Sequence, residues 1–151
     1  MTTLRRTAAL ALALGVAVFL PGCAPKPPAL VPVEGTVYLD GEPLPLAQIE
    51  FVPELKDFGA EYTSTAVTDE KGHFVLQCSL GQPGAAVATH RVVVTEHVPD
   101  EIRTNQTKQA EYLAKQKNRP IPDQYGVLVK SPLRVEVKSG QATYDLQLKR
   151  Q

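Results

Sequence analysis

The side chains able to carry chemistry in this chain are few: His73, His90 and His97, Cys23 and Cys78, the acidic pair Asp69-Glu70, and the hydroxyls Ser64, Ser79, Ser131 and Ser139. Zinc chemistry asks for paired His or Cys ligands at short spacing. His90 and His97 stand seven residues apart, which puts them on opposite faces of a regular strand. His73 begins a separate segment. Calcium needs several oxygen ligands at set positions, and "TDEKGHF" around Asp69, Glu70 and Gly72 offers too few. A nucleophilic serine would sit on a recognisable elbow, and none of the four does. Cys78, in "HFVLQCSL", shares a strand face with Phe74, Leu76 and Leu80, so it reads as a small buried apolar residue rather than an activated thiol. These patterns predict no metal, no cofactor and no catalytic set.

Cys23 is different because of what precedes it. Arg5 and Arg6 open a short basic region, "TAALALALGVAVFL" follows as an uncharged apolar run, and Leu20-Pro21-Gly22-Cys23 closes it. A basic start, a short apolar core and a small residue before a cut define a secretory signal, shorter than a comfortable transmembrane helix. The ending looks like a bacterial lipobox, with Pro21 in place of the usual small or aliphatic residue. The same arginine pair lacks the remainder of a twin-arginine pattern. Residues 1–22 are therefore expected to be a lipoprotein signal peptide. Acylation of Cys23, palmitate included, would anchor the protein to a membrane on its extracytoplasmic side, in the cell envelope (outer membrane or periplasm). "APKPPALVP" behind it, rich in proline, is an extended spacer, so residues 23–32 are expected to be lipidated Cys and tether. Without Arg5 and Arg6 the chain carries 14 basic against 16 acidic residues. Such a balance gives no pull toward nucleic acid.

The rest, residues 33–150, alternates with the period of strands. Val33, Gly35, Val37 and Leu39 face one way, then Ala47, Ile49 and Phe51. Asp40-Gly41 between them supplies the positive φ angles of a tight hairpin, while Pro43 and Pro45 delay the second strand. "TSTAVTD" and "HFVLQCSL" predict a second hairpin turning at Gly72. "AAVATHRVVVTEHV" predicts a long strand with His90, Val92 and Val94 inward. "PLRVEVKSG" points Leu133, Val135 and Val137 inward, and "ATYDLQLKR" points Ala142, Tyr144, Leu146 and Leu148 inward. The spacing predicts an all-β fold, a seven-stranded antiparallel β-sandwich.

One region departs from that pattern. From Asn105 to Asn118 the residues favour a short, weakly packed helix in a long crossover loop, capped by Asn105 and ended by Pro120. Between Arg103 and Arg119 five basic residues (Arg103, Lys108, Lys115, Lys117 and Arg119) face one acid, Glu111. This is the expected partner-binding loop, matched to an anionic envelope component or another envelope protein.

Taken in order, "VEGTVYLDGEPLPLAQIEFVPE", "TAVTDEKGHFVL", "ATHRVVVTE" and "IPDQYGVLVKSPLRVEVKSGQATYDLQLK" resemble carboxypeptidase-regulatory-like, or transthyretin-like, domains, in particular small lipoproteins of the kind numerous in planctomycete-like bacteria. The resemblance spans nearly all of Val33 to Lys149. It implies the transthyretin-like, Ig-like sandwich and an accessory role, and supplies no reaction. Hydroxyisourate hydrolases of similar fold carry a Tyr-Arg-Gly-Ser motif that "QLKRQ" does not match, and the tyrosines and histidines here do not reproduce the iron ligands of intradiol dioxygenases. The expectation is a membrane-anchored structural or binding module and not an enzyme. The alternative is a loop-built carbohydrate-binding or hydrolytic site on the same sandwich.

Overall fold

The computed structural model describes residues 25–150. The signal segment and Cys23 lie outside the described residues. Eleven strands run in chain order: β1 (Leu30–Val31), β2 (Glu34–Leu39), β3 (Glu42–Pro43), β4 (Ala47–Pro53), β5 (Ser64–Val67), β6 (His73–Val75), β7 (Gln77–Cys78), β8 (Ala85–Ala86), β9 (Thr89–Glu96), β10 (Arg134–Glu136) and β11 (Leu146–Leu148), with one α-helix, α1 (Gln106–Ala114), between β9 and β10. One sheet has the order β10-β9-β4-β5-β7, and β2 centres a second with β11 on one side and β3 and β6 on the other. Among the described residues the fold is thus the expected all-β sandwich with a single α-helix. Its inner faces meet where Phe51 on β4 packs against Phe74 on β6, ring centroids 6.1 Å apart.

The first hairpin forms for the reason its turn residues supply. Asp40 and Gly41 take φ of 57° and 86°, and Leu39 pairs with Glu42 across a two-residue turn. The proline-bearing connection to β4 is held by Thr68, whose Oγ1 donates to the Leu44 carbonyl (2.7 Å) and accepts from the Ala47 amide (2.8 Å). β2 and β4 show the predicted alternation: Val37, Leu39, Ala47, Ile49 and Phe51 are all buried.

The segment from His73 to Leu80 is not one strand. β6 pairs with β2 in one sheet and β7 with β5 in the other, so the chain changes layers at Leu76. Phe74, Leu76 and Cys78 are buried, whereas Leu80 lies on an exposed turn, against the expectation that it faces inward. A strand that crosses between layers makes a sandwich corner. β11 also departs from a purely antiparallel pattern, because it runs parallel to β2. Gly35 permits the approach: a Cβ there would stand 1.9 Å from the Tyr144 carbonyl oxygen. Tyr144, Leu146 and Leu148 point inward as expected, but Ala142 is exposed.

The tether ends earlier than its prolines suggest. Leu30 and Val31 form β1 against Ala86 and Ala85, and the Val87 amide donates to the Ala29 carbonyl at 2.8 Å. Gly84 makes room, since a Cβ on it would lie 1.8 Å from the Val31 oxygen. The domain boundary therefore falls near Ala29, not Val33. Two apolar residues between prolines can pair at a sheet edge when one of the flanking prolines faces away from the ladder.

Candidate functional site

The crossover between β9 and β10 is built from the end of β9 outward. A 3-10 turn at Asp100–Ile102 leads to α1, whose start is capped by Asn105: its side-chain oxygen accepts from the Lys108 amide at 3.0 Å. The helix has no buried residue and stops at Ala114, before Asn118 and well before Pro120. Asn118 then adopts a left-handed φ of 58° and its Nδ2 donates to the carbonyls of Leu39 and Glu42 at 3.1 and 3.0 Å. Its Oδ1 accepts from Arg150 at 2.9 Å. Residues 118–119 thereby fasten the whole crossover to the first hairpin.

The five basic residues do not act alike. Arg119 is a structural residue. Its guanidinium pairs with Glu96 and donates to the carbonyls of Lys117, Pro45 and Leu46, with only 9% of its side chain exposed. It is withdrawn from any partner, which corrects its assignment to the binding loop. The Pro45 and Leu46 carbonyls at the β3–β4 connection both accept from Arg119, and Leu46 also accepts from the His97 amide at 3.3 Å, just past the end of β9. Arg103 is exposed, pairs with Asp100 at 2.7 Å and donates to the Val98 carbonyl. Lys108, Lys115 and Lys117 are exposed, and among the described residues none has an ion-pair partner.

A shallow groove of about 480 Å³ runs beside this crossover, lined by Val94, Thr95, Glu96, Ile121, Asp123 and Lys130 among others. Its carboxylate Glu96 is occupied: it holds Arg119 and accepts from the Ile121 amide at 3.2 Å. The carboxyls held below their usual range sit elsewhere, in turns. Hydrogen bonds from Arg150 hold down Asp40, backbone amides at residues 59 and 61 hold down Glu61, and the amides of His73 and Lys71 hold down Asp69. Each is explained by turn geometry. Among the described residues, no group of three or more His, Cys, Asp or Glu is placed to hold a metal ion, and no helix is long and apolar enough to cross a membrane.

The histidines are dispersed as expected. His90 is buried beside Phe51, with ring centroids 5.7 Å apart, and its Nε2 lies 2.8 Å from the Ala86 carbonyl, which fixes that nitrogen as the donor. Burial pushes its proton affinity down, partly offset by the Ala86 hydrogen bond. His73 sits on the other sheet, 3.9 Å from Glu34.

The structure adds one feature that strand periodicity did not single out. Val127, Leu128 and Val129 form an exposed turn, the residues being 41%, 38% and 78% accessible. The signal was present in "YGVLVKSP", an apolar run too short for a strand between Gly126 and Pro132. No family model, curated protein or solved structure matches this chain.

Proposed function

We propose that the protein is a membrane-anchored lipoprotein of the extracytoplasmic envelope, whose carboxypeptidase-regulatory-like or transthyretin-like sandwich serves as a structural or binding module and performs no reaction. The observation that carries this reading is the polarity of the sandwich. The chain coming from Cys23 is clasped beside Val87, just before β9 begins. The crossover bearing Lys108, Lys115 and Lys117 hangs from the other end of β9, where Arg119 is pinned to Glu96. A strand of eight residues separates those ends by roughly 25 Å. An extended spacer of about six residues would add roughly 19 Å. The three free ammonium groups would thus be held away from the anchoring bilayer. That geometry favours a partner outside the membrane, an anionic envelope polymer or the acidic surface of another envelope protein, over lipid headgroups.

Two measurements test the reading. Cys23→Ala should abolish incorporation of a clickable fatty acid and move the protein out of the membrane fraction; equal labelling of mutant and parent would remove the anchor. Binding of the full chain to isolated cell wall should fall with salt and weaken when Lys108, Lys115 and Lys117 become Gln. Binding unchanged by those substitutions would remove the helix from the interface.

A further inference from the structure

We infer that the protein forms a symmetric dimer through the free edge of β10, with a second copy of this chain as the strand that completes it. The pairing joins two five-stranded sheets into one across a two-fold axis at Val135. It goes beyond the reading above and does not depend on a lipid at Cys23.

β10 ends the five-stranded sheet, and its outer side is unsealed. On its inner side the Leu133 carbonyl accepts from the Val92 amide at 3.0 Å and the Val137 amide donates to the Ala88 carbonyl at 2.9 Å, with Val135 opposite His90 between them. Strand alternation then turns the amides and carbonyls of Arg134 and Glu136 away from β9. Among the described residues no partner meets them. The opposite edge of the same sheet is closed by its own turn: the Cys78 amide donates to the Gln82 carbonyl at 2.8 Å, and the Cys78 carbonyl accepts from Gly81 at 2.9 Å. An edge left open is a template for another strand. The open stretch is bounded on both sides. Pro132 has no amide, and the Lys138 amide donates to the Tyr144 hydroxyl at 2.8 Å.

The order of charges selects the occupant. Charged side chains blunt an edge against strands in general. Arg134-Val135-Glu136, however, is complementary to its own reverse. Antiparallel pairing centred on Val135 sets Arg134 opposite the partner's Glu136, and Glu136 opposite the partner's Arg134. Each of these is a hydrogen-bonded pair, in which the two residues exchange main-chain bonds while their opposite charges lie side by side. Sliding the partner to the next register in phase sets Arg134 on Arg134 or Glu136 on Glu136. It also asks Pro132, or the occupied Lys138 amide, to donate. One register therefore satisfies both backbone and charge. The side chains are available for it: Arg134 is 56% exposed and Glu136 65%. Each now makes one ion pair, Arg134 with Glu54 at 3.1 Å and Glu136 with Lys138 at 2.9 Å, and each keeps further nitrogen or oxygen atoms for a cross-strand partner. A contact this short makes a reversible dimer.

The test reverses each charge in the full chain, solubilised in detergent, and reads sedimentation velocity over a range of protein concentrations. The parent should pass from monomer to dimer as concentration rises. Arg134→Glu sets acid opposite acid and Glu136→Arg sets base opposite base, so each variant alone should remain monomeric. An equimolar mixture of the two should regain the parent's dimer fraction, because every cross-strand pair in the mixed dimer is again opposite in charge. A role inside one chain, such as the bridge to Glu54, cannot be restored by mixing. Val135→Cys gives a second measurement. The two copies of position 135 meet at the axis as a non-hydrogen-bonded pair, about 4.5 Å between Cα atoms and within disulfide reach. A mild oxidant should link this variant to itself well beyond the parent, whose Cys23 and Cys78 make it the blank. A parent that stays monomeric, with no added linkage at position 135, would overturn the dimer. Dimers that survive both charge reversals, or a mixture no more associated than its components, would overturn the β10 pairing. Fatty-acid labelling reads the anchor separately, so neither result bears on it.

Discussion

Arg119 and Glu96 form an ion pair at the end of β9 that joins the helical crossover to the sandwich. Their side chains are 9% and 25% exposed, and the same guanidinium caps the Pro45 and Leu46 carbonyls. Leu46 needs that support, because it holds a left-handed φ of 51° without being glycine. One side chain thus satisfies a strained connection and positions the loop that carries the free lysines.

Removing it should therefore cost far more than removing a neighbouring lysine. Arg119→Ala leaves the part-buried Glu96 carboxylate without its cation and the Pro45 carbonyl without its donor, while Leu46 keeps the His97 amide, a loss of about 2–4 kcal/mol. Lys117→Ala should stay within about 0.5 kcal/mol of the parent. Urea unfolding midpoints compare the two; equal midpoints would show that the crossover is held by something else.

Gly84→Ala tests the β1 clasp. Gly84 has φ of 97° and no room for a Cβ against the Val31 carbonyl. The substitution should push β1 off β8, destabilise the domain by roughly 2 kcal/mol, and speed amide exchange at Val87, which donates to Ala29. Exchange at Val94, in the middle of the sheet, should keep its rank as the slower of the two. Unchanged protection at Val87 would mean that β1 is not a stable part of the fold.

His90 sets a mild acid sensitivity. Its folded-state proton affinity is lowered by burial, so the unfolded chain takes up the proton first as pH falls. Stability should be full above about pH 6.5 and decline below it toward the folded pKa, by at most about 1.4 kcal/mol per pH unit. The lowered carboxyls Asp40, Glu61 and Asp69 act in a more acidic window, since their contributions are lost only as pH falls through their depressed folded values. Unfolding midpoints between about pH 7.5 and pH 5 isolate the histidine. His90→Phe should flatten that span, and a slope that survives the substitution would assign it to another group.

Cys78 should be inert in the native state. Its side chain is buried, with the residue only 2% exposed, and the thiol points to the Glu61 carbonyl. A thiol reagent should label it only at the rate of unfolding, while Leu80→Cys, on the neighbouring turn, should react at once. Fast labelling of native Cys78 would contradict the buried register of β7 against β5.

Much of the architecture was legible in the chain because strand alternation and turn chemistry are local. Asp40-Gly41 can only be a tight turn, Val37 and Leu39 must share a face, and Asn105 is a cap wherever a helix follows. Those residues determined the first hairpin, the inward row of β4, the inward His90 and the existence of α1. What pairs with what is not local. Leu76 divides one apolar run between two sheets because Val33 and Gly84 offer its backbone partners from distant parts of the chain. Leu30 and Val31 joined the sandwich because Gly84 leaves space for them. Arg119 looked like one basic residue among five; its fate depended on Glu96, Pro45 and Leu46 arriving beside it, a desolvated pairing that no spacing along the sequence encodes. The exposed apolar turn follows the same rule: Val127, Leu128 and Val129 could have been core, and only the bonds that tie Lys130 and Ser131 back to Val127 turned them outward.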